Sequence, residues 1–120
     1  ALLRAAKLGV RAARAGFDWP EAQGARAKLM EEIAELDSAP DAQARLEEGG
    51  DLLLAAASWL RHLGIDPEAA LAAANAKFEH RFRKIEQIPG FSSLSLEEKE
   101  ALWAAVKAGA LPAPRPDRTS

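Results

Sequence analysis

Cysteine is absent from this chain of 120 residues, which removes disulfides and thiolate metal sites together. Histidine is scarce. His62 and His80 stand too far apart for a recognisable zinc motif, and both are expected at the surface. Long apolar runs are also missing: the stretch from Leu52 to Leu60 is broken by Ser58, soon followed by Arg61, and falls short of the roughly 20 residues a bilayer span needs. The basic opening, with Arg4, Lys7, Arg11 and Arg14, has no cleavable signal pattern, so a soluble, cytoplasmic protein is the expectation. No glycine-rich phosphate loop occurs, because Gly49-Gly50 falls inside a helical stretch. Phosphate recognition would therefore rest on side chains and a metal.

Runs of β-branched residues are likewise lacking, while alanine and leucine abound and Gly and Pro fall at helix-length intervals. The fold class that follows is all-α, a helical bundle of about four to five helices. One domain of this size has a modest core, and its apolar faces call for completion by dimerisation or a higher homo-oligomer. The first helix should run from about Leu2 to Ala15 and stop at Gly16, ahead of a loop, Gly16-Phe17-Asp18-Trp19-Pro20, that carries two aromatics. A second begins after Pro20 and reaches about Ser38, with Leu29, Ile33 and Leu36 as its apolar stripe. Ala39-Pro40-Asp41 turns the chain into a third helix, from about Ala42 to Leu63, which Gly64 can cap in the left-handed region. Asp66-Pro67 starts a fourth that extends to about Glu86. After the break at Pro89-Gly90, Ser95-Leu96-Glu97-Glu98 reads as a capping box opening a short fifth helix. The domain is expected over residues 1–108, and residues 109–120, rich in proline, as a disordered tail.

The net charge of −2 speaks against a nucleic-acid polymer as partner, yet charge is unevenly spread. Nine acidic residues between Glu21 and Asp51 face three basic ones, a local −6. Glu31, Glu32 and Glu35 sit at helical spacings i, i+1 and i+4, so they gather on one edge of the second helix. Glu48 and Asp51 repeat the i, i+3 spacing on the third. If the two helices pack antiparallel, up to five carboxylates face one another, an arrangement that is unfavourable until a cation sits among them. Oxygen-only ligands favour Mg2+ or Mn2+ over zinc. Taken alone, the first cluster reads more readily as a solvated face, since glutamate is a good helix former and surface helices often carry such groups. Asp51 weighs against that, since it is a poor helix former leading into Leu52-Leu53-Leu54. The Gly49-Gly50 pair beside these acids suggests close approach of another backbone or a ligand.

From Lys77 to Lys84 the sign reverses, with Lys77, Arg81, Arg83 and Lys84 against Glu79. Lys77 and Arg81 are i, i+4 neighbours beside Phe78 and Phe82, free to hold phosphate or, as readily, to complement the helix dipole. Trp19 in its loop and Trp103 near the end could each stack on a base, whereas Trp59 is more simply core.

Assembled, these pieces resemble the MazG-type nucleoside triphosphate pyrophosphohydrolases of the all-α NTP pyrophosphatase superfamily. The resemblance rests on Gly16-Phe17-Asp18-Trp19-Pro20, on Lys28 with Glu31-Glu32 and Glu35, on Glu47-Glu48 with Gly50-Asp51, on His62 with Asp66-Pro67, on Asn75, Lys77-Phe78 and Arg81-Phe82, and on Leu102-Trp103. Gly49 departs from it where a bulky apolar residue is usual, and the short turn between the acidic helices offers Arg45 alone in place of a basic residue that some relatives use there. The resemblance implies Mg2+-dependent hydrolysis of NTPs or dNTPs to the monophosphate and pyrophosphate, with broad base specificity and a homodimeric scaffold. It implies Glu31, Glu32, Glu35, Glu48 and Asp51 as metal ligands, with Glu32 or Glu35 acting on the attacking water. Lys28, Lys77 and Arg81 would then hold phosphate oxygens, and Trp103 would meet the base. Two other readings stay open: a narrower enzyme of the superfamily, of dUTPase/dCTPase or phosphoribosyl-ATP pyrophosphohydrolase type, and a non-catalytic helical interaction module.

Overall fold

In the computed structural model, which describes residues 1–110, the chain forms five α-helices and one short 3-10 turn, with no strand among the described residues. The helices are α1 (Leu2–Arg14), α2 (Ala22–Asp37), α3 (Ala42–His62), α4 (Pro67–Glu86) and α5 (Leu96–Lys107). The all-helical expectation holds, and the boundaries lie within a residue or two of those anticipated. The 3-10 turn, Phe91–Ser93, was not anticipated; it follows Gly90, whose φ of 76° reverses the chain after Pro89. Of the expected tail, Gly109 and Ala110 close α5, the Ala110 N–H donating to the Ala105 carbonyl. The remainder lies outside the described residues. Among those described, no helix is long and apolar enough to cross a membrane.

The chain divides within α4 into two compact units, Ala1–Leu71 and a second beginning at Ala72. In the first, α2 and α3 form a hairpin across a short turn and α1 packs on α3. Asp41 caps α3, its Oδ1 accepting from the Ala44 N–H at 2.8 Å, and Ala39-Pro40 fills the turn. The hairpin closes on small residues, with Ala25, Ala55 and Ala57 buried. Such short side chains let helices approach closely, which brings polar groups on both within reach of each other.

One detail of the hairpin differs from expectation. The inward stripe of α2 runs through Ala25, Leu29, Glu32 and Leu36, while Ile33 stands 41% exposed. An acidic residue thus occupies the turn of the stripe that an apolar reading assigns to isoleucine. No large side chain is fully buried among the described residues, and Leu46 and Leu53 on α3 are 71% and 67% exposed.

In the second unit the capping box at Ser95 is formed in full. The Glu98 N–H donates to Ser95 Oγ, and the Ser95 N–H donates to Glu98 Oε1, both at 3.1 Å. These bonds hold the Glu98 carboxyl below its ordinary range. Phe78 and Phe82 stack with ring centres 5.9 Å apart, and Trp103 meets Phe78 at 5.1 Å. Ile85 and Val106 are buried.

Candidate active site

Glu32 is the buried charge of the first unit, only 4% exposed in the middle of the α2 stripe. Lys28, one turn earlier, donates from Nζ to Glu32 Oε1 at 3.0 Å, and lies 3.4 Å from Glu31 Oε1. The bond to Glu32 and the nearby Glu31 raise the Lys28 ammonium above its ordinary pKa. The hairpin carries Glu48 and Asp51 of α3 opposite Glu32, so that one carboxylate oxygen from each of the three lies within 4.8 Å of the other two. Glu32 Oε2 and Glu48 Oε2 are buried and have no hydrogen-bond partner.

That pair of orphaned oxygens is informative. A buried carboxylate oxygen left unpaired costs about 1–3 kcal/mol, and persists where something else compensates it. Three hard oxygen donors converging from two rigid helices form a set that Mg2+ or Mn2+ can use, and nitrogen and sulfur donors are missing from it. Glu35, one turn beyond Glu32 on an exposed part of α2, has its carboxyl raised, first by a hydrogen bond shared with Glu48 and then by the charge of Glu32. It therefore adjoins the three-acid cluster. Glu31 is brought to Lys28 instead and is largely exposed.

Two glycines beside these acids have open space around them. A Cβ at Gly49 or Gly50 would meet nothing within 4 Å, so the chain itself makes no close approach there.

The acids open into a cleft of about 710 Å³, large enough for a nucleotide-sized ligand. Lys28, Glu32 and Asp51 line it, together with the small face of α1 (Ala5, Gly9, Ala12) and Ala55 and Ser58 of α3. Its non-helical wall is the loop Gly16 to Trp19, and Arg61 also faces it. Lys77, Arg81 and Trp103 belong to the second unit, the two cations on α4 and the tryptophan on α5 against Phe78.

What sequence reasoning missed is a link between this loop and the end of α3. Asp18 Oδ1 accepts from Arg61 Nη2 and from His62 Nε2, each at 2.9 Å, and from the Trp19 N–H at 2.9 Å. Since an ionised carboxylate only accepts, His62 carries its proton on Nε2. Burial works to raise the Asp18 carboxyl, but the bonds from His62, Arg61 and Trp19 outweigh it and leave the pKa lowered. A carboxyl so lowered supports the folded loop above the ordinary aspartate range and loses that support as pH falls through the lowered value. The surface expectation for His62 is thereby corrected: its side chain is 12% exposed and tied to a residue 44 positions away. No local pattern could signal a pairing at that separation. A weaker cue did exist in Gly9, a glycine inside a helix, whose Cβ would lie 3.2 Å from Arg61 Nε.

No family model matches the chain. It is 38% identical over 114 residues to the nucleoside triphosphate pyrophosphohydrolase/pyrophosphatase MazG of Thermotoga maritima, a match covering 91% of this chain and 45% of that protein. It is 43% identical over 117 residues to the nucleoside triphosphate pyrophosphohydrolase of Escherichia coli K12, covering 89% of this chain and 44% of that one. The chain thus spans under half the length of the curated relatives it matches. Along some nine-tenths of its own sequence, it is a homologue of the MazG nucleoside triphosphate pyrophosphohydrolases.

Proposed function

We propose that this chain is a Mg2+- or Mn2+-dependent nucleoside triphosphate pyrophosphohydrolase, converting an NTP or dNTP and water to the monophosphate and pyrophosphate. The observation that carries the reading is the convergence of Glu32, Glu48 and Asp51, the first and last of which line the cleft, with two of the cluster's oxygens buried and unpartnered. The names of the homologues support the substrate class.

On this reading Glu32, Glu48 and Asp51 hold the cation, with Glu35 and Glu31 completing the acidic set. When bound, a divalent cation would neutralise the triphosphate and lower the pKa of a water. Glu32 or Glu35 would orient the attacking water and accept its proton. Lys28 fixes the Glu32 carboxylate through the 3.0 Å bond and offers its remaining N–H groups to a phosphate oxygen. Lys77 and Arg81 as phosphate ligands, and Trp103 as a base contact, are carried by the resemblance alone. With so little covalent chemistry asked of side chains, rate enhancement rests on positioning and charge.

Pyrophosphate release measured across the common NTPs and dNTPs, with Mg2+ and then with EDTA, tests the proposal. Metal-dependent pyrophosphate from several nucleotides is expected. A single active nucleotide would narrow the enzyme to one base or sugar, whereas release of orthophosphate, or no release at all, would overturn the reading.

We also propose a homodimer or higher homo-oligomer, because Met30, Ile33, Leu46 and Leu53 on the hairpin remain exposed and would be covered by a second copy. Sedimentation velocity over a wide concentration range is expected to show a dimer or larger species. A monomer at every concentration would remove this part.

A further inference from the structure

Two of the sequence's distinctive pieces, the Gly16–Pro20 loop and His62, are left unused by the chemistry of the acidic cluster, and the structure joins them. The loop begins as the close of α1, where Gly16 at φ 82° lets the Phe17 N–H donate back to the Ala12 carbonyl. From Asp18 to Glu21 no backbone N–H donates to another backbone group. What holds this stretch is the Asp18 side chain, which gathers Arg61, His62 and the Trp19 N–H on one oxygen. Two glycines clear the way: Arg61 passes against Gly9, and the Trp19 ring rests on Gly24, where a Cβ would come within 3.0 Å of it.

A partly exposed ion pair of this kind adds little to global stability. Its effect is local, fixing a loop that otherwise has no ladder to hold it. The side chain so fixed is Trp19, which lines the cleft shared with Glu32 and Asp51 yet stays 45% exposed. An aromatic face held open in a cleft that Lys28 also lines suits a nucleobase, since every base presents a π-face to stack on it.

Resting on the nucleotide reading above, we propose that Asp18, Arg61 and His62 form a positioning link that sets Trp19 as the base-facing wall of the cleft. Asp18 and Arg61 are then determinants of nucleotide affinity and base preference, not of the hydrolytic step. Trp19 is the residue that touches the base; Asp18 and Arg61 act through it.

The test is steady-state pyrophosphate release by Asp18→Asn, Arg61→Met, Arg61→Lys, Trp19→Ala and the double variant Asp18→Asn/Trp19→Ala, with one purine and one pyrimidine triphosphate. The inhibition constant of inorganic tripolyphosphate, which carries no base, is measured alongside. Asp18→Asn and Arg61→Met are expected to raise KM about ten-fold with kcat within about two-fold, Arg61→Lys to recover part of the loss, and tripolyphosphate inhibition to stay unchanged. The double variant should be no worse than Trp19→Ala, because both substitutions remove one contact. Loss in kcat at constant KM, an equal weakening of tripolyphosphate, or additive effects in the double variant would overturn the link. Should the wild type release no pyrophosphate, the enzymatic reading falls and calorimetry with a non-hydrolysable nucleoside triphosphate decides the link separately. Weaker binding by Asp18→Asn sustains it; equal binding by both proteins, or none by either, overturns it.

Discussion

Glu32→Gln is expected to abolish metal-dependent pyrophosphate release while making the metal-free protein more stable. The first effect follows from the role proposed for Glu32 as both cation ligand and partner of the attacking water. Removing a group with either role lowers kcat/KM by about 10² to 10⁴. The second follows from its surroundings. Glu32 is buried among two other carboxylates, and its Oε2 and that of Glu48 both lack partners. An amide of the same shape removes one of three crowded charges and brings N–H groups that can donate to the Glu48 oxygen. Against this stands the weakened bond to Lys28, a residue in good contact with water that loses little by reorienting. Satisfying a buried acceptor is worth about 1–3 kcal/mol, so a net gain on the order of 1 kcal/mol, or a few degrees in Tm, is the expected outcome in EDTA. Thermal unfolding followed by circular dichroism, beside the activity measurement, checks both halves. A variant that is inactive and less stable than the wild type in EDTA would make Glu32 a structural partner of Lys28 and remove it from the active site.

The opposing signs of those effects explain what the sequence could and could not show. Helix ends were legible because they are set by local chemistry: Gly16 and Gly64 adopt positive φ, Asp41 and Ser95 cap through their own side chains, and Pro67 opens α4. The acidic pairing was legible for a related reason, since helical spacing places Glu48 and Asp51 on one face of α3 and a short turn, Ser38 to Asp41, returns that face to α2. The inward stripe of α2 was not. Reading hydrophobicity alone puts Ile33 inside, whereas the turn is taken by Glu32; on the proposed reading, function places a charge where stability would place a hydrocarbon. The Asp18 link was illegible for a different reason. Its partners are joined only when α1, the loop and α3 are all in place, and the glycines that admit Arg61 and Trp19 are meaningful only against the side chains that pass them.

Raising the concentration of Mg2+ or Mn2+ is expected to raise the melting temperature of the wild-type chain and to leave Glu48→Gln and Asp51→Asn nearly unmoved. A ligand that binds only the folded state stabilises it by about 2.7 kcal/mol when present at 100 times its dissociation constant, a shift of several degrees for a protein of this size. The folded state alone brings the three carboxylates together, since Glu32 and the α3 pair belong to different helices, so the unfolded chain offers the ion no comparable site. Loss of either α3 ligand leaves two donors and removes most of the shift. The same substitutions relieve the crowding of negative charge, so in EDTA both variants should melt at or above the wild-type temperature. The stability order is therefore expected to invert on adding metal, with the wild type lowest in EDTA and highest in saturating Mg2+ or Mn2+. A wild-type curve insensitive to either cation would remove the metal site, and an undiminished shift in both variants would move it elsewhere in the chain. Inversion would tie the carboxylates of α3 to the ion directly, since a general salt effect screens all variants alike.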